Sequence, residues 1–256
     1  MTILLLVGVL APSAGTGWDG LAYHLAVPKI YLQHHRILVL PWMSHSNFPF
    51  AMEMLYLLGL ALQGQALAKL LNFSCGVLIA LAVYCWGNKS IGKGAGLLGM
   101  AIFISIPLVF WEATVAYNEL AFALFCLLSI WAWWKKEEGP ASRWIILSGI
   151  FAGLALATKM LAGFLVVFMV LAILWRKIEQ SADDLSVKQK TKPASKRPSE
   201  KADETPSNPQ TGIARPIALA LWLVPALLVA APWYVKSYLW TGNPVYPFFY
   251  DIFGGR

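Results

Sequence analysis

The first residue suited to acid–base chemistry is Asp19, which follows an apolar run within the segment Trp18 to His24. A second carboxylate, Glu119, lies about four residues inside one end of a later apolar segment. Either carboxylate could take a proton from a hydroxyl group, and a carboxylate inside a membrane segment is by default a functional residue. Two structural alternatives stay open, with Asp19 as a helix cap and Glu119 as an ion-pair partner of Lys159 or Lys29.

Positive and aromatic side chains lie close to Asp19 in the sequence. The apolar positions of this segment recur at helical spacing, at Leu21, Leu25, Pro28 and Leu32. This pattern predicts an amphipathic helix at the membrane surface, with Lys29 and Arg36 on the adjoining stripe where they can hold an anionic head group. Tyr23 and His24 are the further candidates for contact with a substrate, and Lys159 is the candidate cation near Glu119.

A metal site is the alternative use of this segment. All four histidines lie in it, namely His24, His34, His35 and His45. Imidazole and carboxylate are common metal ligands, but no recognised ligand spacing is present. The three cysteines also lack a paired spacing, which argues against a zinc site or a disulfide framework. We therefore assign no cofactor from the sequence, and a divalent metal stays open.

The composition identifies the kind of protein that presents these residues. The chain is 58% hydrophobic and 13% charged, and it contains 12 Trp, which excludes a soluble globular protein. The formal charge of +7 comes from Lys and Arg clustered between apolar runs, as in cytoplasmic loops of membrane proteins, so nucleic-acid binding is not indicated. The sequence predicts an all-α, polytopic transmembrane helical bundle.

The apolar segments predict about seven spanning helices. Spans are expected over Ala66–Trp86, Ala95–Trp111, Val115–Trp134, Trp144–Trp175 and Ile217–Trp233. Trp144–Trp175 is too long for one span and has basic segments on both sides, so it should cross twice as two short helices that turn at Lys159. A single long tilted helix is the alternative. Pro232 is expected to end the last span.

Phe48–Leu62 is short, contains Glu53 and begins with Asn-Phe-Pro, which predicts a helix in the membrane plane. The positive-inside rule puts 14 of the 20 Lys and Arg in three cytoplasmic loops, 88–93, 135–143 and 176–215. Asp19 and Glu119 then share the outer face, together with Glu53, Glu112 and Asp251.

Three regions follow from these assignments. Residues 1–177 form a transmembrane core with a first outer loop at 12–65, and residues 178–216 are polar and predict a disordered cytoplasmic loop. Residues 217–256 provide a further transmembrane helix and the start of an outer loop. The incomplete first apolar run and the abrupt end suggest a chain truncated at both ends.

The order of these motifs resembles the GT-C superfamily of lipid-linked-sugar glycosyltransferases, which includes protein O-mannosyltransferases and the bacterial aminoarabinose transferase. The matching motifs are Asp19 through Tyr23-His24 and Pro28-Lys29, Tyr117-Asn118-Glu119, Thr158-Lys159, and Thr241-Gly242-Asn243-Pro244-Val245-Tyr246-Pro247. The resemblance implies inverting transfer of a sugar from a polyprenyl phosphate, on the outer face of the bacterial inner membrane, to a lipid, glycan or protein. It implies Asp19 as the general base and Glu119 as a residue that positions acceptor or donor, although an Asp is usual at the second position.

Two other functions are compatible with the same residues. In a transporter or flippase of lipid-linked sugars, Asp19, Glu119 and Lys159 would line a pathway rather than a reaction centre. Internal repeats would favour that function, and none is apparent. A membrane subunit without catalysis is the third option, and it would require Asp19 and Glu119 to lie far apart with no shared cavity.

Overall fold

A computed structural model of the chain describes residues 2–13, 17–136, 140–175 and 213–255. Within these ranges the structure is helical and has no strand, which confirms the predicted all-α membrane fold. Three of the described helices are long and apolar enough to cross a membrane, namely Gln65–Ser90, Ala141–Thr158 and Arg215–Thr241. Most of the segment 178–216, for which disorder is predicted, lies outside the described residues.

The chain order of the helices is as follows. They are α1 (Thr2–Leu10), a π-helical turn (Gly20–His24), α2 (Ala26–Gln33), a 3₁₀ turn (Ser44–Asn47), α3 (Ala51–Gln63), α4 (Gln65–Ser90), α5 (Ala95–Ser105), α6 (Pro107–Glu112), α7 (Glu119–Lys135), α8 (Ala141–Thr158), α9 (Ala162–Trp175), α10 (Arg215–Thr241) and α11 (Tyr250–Phe253). Helices α4 and α7 pack under the first outer loop around one apolar core, and α8, α9 and α10 share a second.

The predicted turn at Lys159 is confirmed. Helix α8 ends at Thr158, Lys159 has extended backbone angles, and α9 begins at Ala162, so one long tilted helix is excluded. Helix α8 packs closely on α10 because Gly149 and Gly153 have no side chain. A Cβ atom at either glycine would collide with the backbone carbonyl of Trp222 or Ala226.

Two predicted span boundaries are wrong, both because of proline. The segment Ala95–Trp111 is divided at Ile106, whose backbone is extended because Pro107 follows it. Helix α10 does not end at Pro232 but continues to Thr241 through Pro225 and Pro232. Membrane helices tolerate such prolines because neighbouring groups satisfy the freed carbonyls, and α10 ends where Gly242 takes a left-handed conformation.

The span predicted to begin at Val115 begins later than expected. It was placed at Val115–Trp134, but residues 113–118 form a turn and α7 begins at Glu119. The turn is held by Asn72 of α4, whose side-chain amide donates to the carbonyls of Glu112 at 2.8 Å and Val115 at 2.9 Å. Glu119 is therefore the first residue of its helix.

The first outer loop folds against α4 and α7, but the predicted apolar stripe is only partly right. Leu25 and Pro28 are buried, whereas Leu21 is 44% exposed. The cause is the π-helical turn, in which Leu25 donates its N–H to the Gly20 carbonyl at 2.8 Å, because that wider turn shifts the helical register. Val27 and Tyr31 complete the buried face of α2.

Helix α3 has 13 residues, or about 20 Å at 1.5 Å per residue, against a hydrocarbon core of about 30 Å. It is therefore too short to cross, and its orientation in the membrane plane stays a prediction. After Gly64, α4 turns back along α3 so closely that a Cβ atom at Gly59 would lie 2.8 Å from the Ala68 nitrogen. This hairpin packs α3, which carries Glu53, against α4.

Candidate functional site

Asp19 directly precedes the π-helical turn and is partly exposed. Its backbone N–H donates to the Tyr117 hydroxyl at 3.3 Å, and the Tyr23 hydroxyl donates to its Oδ2 at 3.4 Å. One contact comes from the turn before α7 and the other from the π-helical turn itself. Asp19 therefore has a fixed backbone and a carboxylate that is still accessible.

Glu119 contacts Lys159, which lies just after the end of α8. The side chains are 39% and 30% exposed respectively, and the Asn118 backbone N–H donates to Glu119 Oε2 at 3.1 Å. The structure thus contains the ion pair that the sequence left open as a structural alternative. An exposed pair of this kind adds little stability and can exchange partners with a bound substrate.

A buried polar network lies directly behind these residues. His24 Nδ1 and Glu53 Oε1 are 2.6 Å apart, with side chains 2% and 1% exposed. The Asn118 amide donates to the same Glu53 oxygen at 3.1 Å and to the Thr158 carbonyl at 3.2 Å. Since Asn118 and Thr158 immediately precede Glu119 and Lys159, the network holds the backbone of both exposed residues.

The negative charges of Asp19 and Glu119 both act on two side chains, Tyr23 and Glu112. Burial raises the pKa of the Tyr23 hydroxyl, and the charges of Asp19 and Glu119 raise it further. Burial also raises the pKa of Glu112 to about 7, with contributions of the same sign from Glu119 and Asp19 and an opposing one from Lys159. The first outer loop, the turn before α7 and the end of α8 therefore meet in one acidic region.

The other candidates that the sequence offered are exposed, except His45, which packs on Tyr23. Lys29 and Arg36 are exposed on and after α2. His45 stacks on Tyr23 with ring centroids 4.4 Å apart, and His34 and His35 are exposed. Asp251 is exposed in α11. Among the described residues, no group of three or more His, Cys, Asp or Glu side chains is placed to hold a metal ion.

Comparison with protein families gives the decisive observation on identity. A family model described as dolichyl-phosphate-mannose-protein mannosyltransferase matches residues 63–240, which is more than half of the chain. The chain belongs to this family. Membership confirms the resemblance to the GT-C superfamily and makes the protein a member of a glycosyltransferase family with membrane helices.

The family match covers only part of the candidate site. Glu112, Glu119 and Lys159 lie within the matched residues, whereas Asp19 and Glu53 precede them. An uncharacterized protein of Shigella flexneri is 27% identical over 128 residues, which are 49% of this chain and 64% of that protein. The aligned region thus spans less than two thirds of this relative. No solved structure matches the chain.

Sequence reasoning did not assign a role to three charged residues that this family member buries. Glu53 and Lys69 are 0% and 2% exposed, and Glu112 is 7% exposed. The sequence did contain a signal for Glu53 and Lys69, because each is a charged residue inside an apolar run. Membrane segments rarely contain such a charge without a function. Nothing in the sequence indicated that His24 would pair with Glu53, since 29 residues separate them.

Proposed function

We propose that the chain forms the membrane core of a glycosyltransferase that moves a sugar from a polyprenyl phosphate to a lipid, glycan or protein. The reaction takes place at the outer face of the bacterial cytoplasmic membrane. The acceptor oxygen forms a bond to the anomeric carbon as the bond from that carbon to the phosphate oxygen breaks. The acceptor proton goes to a carboxylate, and polyprenyl phosphate leaves with the electron pair of the broken bond.

In this proposal Asp19 is the general base. Its carboxylate is partly exposed, its backbone is fixed by Tyr117, and Tyr23 contacts one of its oxygens. A base needs this combination, because it must reach the acceptor hydroxyl in a defined geometry. The observation that carries the proposal is the partly exposed Asp19 carboxylate, held by contacts with Tyr23 and Tyr117, in a member of a glycosyltransferase family.

Glu119 and Lys159 bind the acceptor or the sugar at the opposite edge of the same region. Both are partly exposed, and the pair can open so that each side chain contacts a substrate hydroxyl. Lys29 and Arg36 contact anionic lipid head groups from exposed positions on and after α2. His24, buried against Glu53, acts by positioning the turn that carries Tyr23 and Asp19.

Replacement of Asp19 by Asn tests this function. The full protein is reconstituted in lipid vesicles, and the release of polyprenyl phosphate from polyprenyl-phosphate mannose is measured in the presence of acceptor lipids and peptides. Loss of a general base costs about 10² to 10⁴ in rate, so the Asp19→Asn variant should fall by at least about a hundredfold. Asp251→Asn is the matched control, since it removes an exposed carboxylate from α11 and should keep the wild-type rate. Transfer by Asp19→Asn at the wild-type rate would refute the proposal.

A further inference from the structure

A cavity of about 210 Å³ lies next to the segment that carries Asp19. It is bounded by the end of α1, the start of α4 and the turn before α7. The lining residues used here are Ser13, Gly17, Gly20, Lys69, Trp111 and Thr114. Gly17 and Gly20 flank Asp19 in the chain, and at about 30 Å³ per water molecule the space holds a group much larger than one water.

Lys69 is the charged residue that lines this cavity, and it has no counter-ion among the residues that the structure describes. Its side chain is 2% exposed, and Nζ donates to the carbonyl of Gly8 at 3.0 Å and to that of Ala11. In the described part of the chain, no carboxylate lies within 4.0 Å of Nζ. An ammonium group has three N–H donors, so one remains for a ligand. A buried cation without an anion is costly and is a functional site by default in a membrane helix.

A second polar group of the cavity also lacks a partner. Ser13 Oγ is buried and makes no hydrogen bond, although the Ser13 backbone N–H is held by Gln65 Oε1 at 3.3 Å. The Ser13 hydroxyl and the Lys69 ammonium are both donors. A positively charged donor on the cavity, with an unpaired hydroxyl in one of the lining residues, matches an anion that has several acceptor oxygens.

The cavity is also connected to the proposed general base. Trp111 forms one wall, and its ring packs edge-on against Tyr117 with centroids 5.2 Å apart. Tyr117 in turn accepts the backbone N–H of Asp19. The cavity therefore lies beside the segment that carries the base. Inverting transfer requires the base and the departing phosphate to stand on opposite sides of one sugar, so both must lie close to it.

We propose that Lys69 binds the phosphate group of the lipid-linked donor in this cavity. The inference rests on the proposed transferase function and assigns the phosphate a residue that the sequence did not indicate. The three cations that the sequence singled out lie elsewhere, since Lys159 contacts Glu119 and Lys29 and Arg36 are exposed. Lys69 is the fifth residue of α4, near the helix end on the predicted outer side, where lipid phosphates lie.

A structural role of Lys69 is the competing explanation, because its two hydrogen bonds cap the end of α1. Capping requires a donor but not a charge beside the cavity, so two variants separate the roles. Lys69→Gln keeps a donor without the charge, and Lys69→Arg keeps both. Lys69→Met, which removes both the donor and the charge, would not separate the two roles if it failed to fold, whereas Lys69→Gln would.

The test measures binding directly rather than transfer. Farnesyl phosphate and farnesol are titrated against the purified full protein, and the thermal unfolding midpoint is recorded. Wild-type protein and Lys69→Arg should be stabilised by farnesyl phosphate more than by farnesol. Lys69→Gln should lose that difference, with at least a tenfold weaker apparent affinity for the phosphate. Lys93→Met, which removes an exposed lysine elsewhere, is the matched control.

The outcomes distinguish this inference from the proposed function. Folded Lys69→Gln that binds farnesyl phosphate like the wild type would overturn the assignment, as would a wild-type protein that does not distinguish the phosphate from the alcohol. Phosphate binding that depends on Lys69, together with full transfer by Asp19→Asn, would support the phosphate site and refute Asp19 as the base.

Discussion

Two contacts between a carboxylate and a basic side chain occupy very different surroundings in this protein. His24 and Glu53 are 2.6 Å apart with side chains 2% and 1% exposed, whereas Lys159 and Glu119 are 30% and 39% exposed. Asn118 connects them, since its side chain bonds Glu53 and its backbone N–H bonds Glu119. Glu53 is buried in the protein, whereas Glu119 is accessible to a ligand.

The difference in burial indicates that Glu53 and Glu119 have different roles. Removing one partner of a buried, hydrogen-bonded carboxylate leaves the other polar group without a partner, so the geometry of such a contact is strongly fixed. An exposed pair is weak and can be replaced by contacts to a substrate. The His24–Glu53 pair therefore fixes the backbone of the first outer loop and of Asn118, and the Lys159–Glu119 pair is available for binding.

The largest effect on stability is expected for Glu53→Ala. The substitution leaves the buried His24 ring and the Asn118 amide without their shared partner, and loss of one member of a buried pair costs about 3 to 5 kcal/mol. The free energy of unfolding, measured with denaturant in detergent micelles, should fall by this amount. Asp251→Ala, at an exposed carboxylate, should change it by less than about 0.5 kcal/mol. A loss below about 1 kcal/mol for Glu53→Ala would show that the two pairs do not differ.

The helices could be predicted largely because membrane spans depend on length and composition. The run Trp144–Trp175 is too long for one crossing, and the turn at Lys159 followed from that fact together with the basic residues around it. The ends of α5 and α10 could not be predicted in the same way. A proline breaks one membrane helix and is accommodated in another according to which neighbours satisfy the freed carbonyl.

The candidate site was less predictable because its contacts join distant parts of the chain. Asp19 and Glu119 were identifiable as carboxylates next to apolar segments, and their roles stay predictions. The contact between Glu119 and Lys159 was open as one alternative among two. The contact between His24 and Glu53 depends on the hairpin at Gly64, which packs α3 against α4, and no local pattern encodes that distance.

Glu112 offers an intermediate case, an acid that is buried but has no cationic partner in hydrogen-bond contact among the described residues. Burial raises its pKa to about 7, so the folded protein keeps this proton where an unfolded chain, with a pKa of about 4.3, has lost it. Stability should therefore decrease as the pH rises from about 4.3 to about 7, by about 1.4 kcal/mol for each pKa unit. Above about pH 7 this contribution should be constant.

The contribution of Glu112 is measured from the free energies of unfolding of the wild type and of Glu112→Gln at pH 5 and pH 8. The neutral Gln cannot lose a proton, so the difference in stability between the two pH values should be smaller in the variant. An equal pH dependence in both proteins would assign the effect to other groups and would place Glu112 with the exposed acids.

The smallest effect on stability is expected for Glu119→Gln. An exposed ion pair contributes about 0 to 1 kcal/mol, and Gln can still accept a hydrogen bond from the Asn118 backbone N–H. The free energy of unfolding should consequently change by less than about 1 kcal/mol. Under the proposed function the same variant should nevertheless transfer sugar at least about tenfold more slowly, because the acceptor or donor loses a charged contact.

The two measurements on Glu119→Gln decide whether exposure separates binding from positioning in this site. Stability close to the wild type with slow transfer means that Glu119 acts on the substrate, since folding does not need its charge. A stability loss as large as that of Glu53→Ala would contradict this division, because it would make the Lys159 contact part of the folded core. Lys159→Gln is the matched variant, since it removes the other charge of the pair, and it should likewise leave stability within about 1 kcal/mol of the wild type.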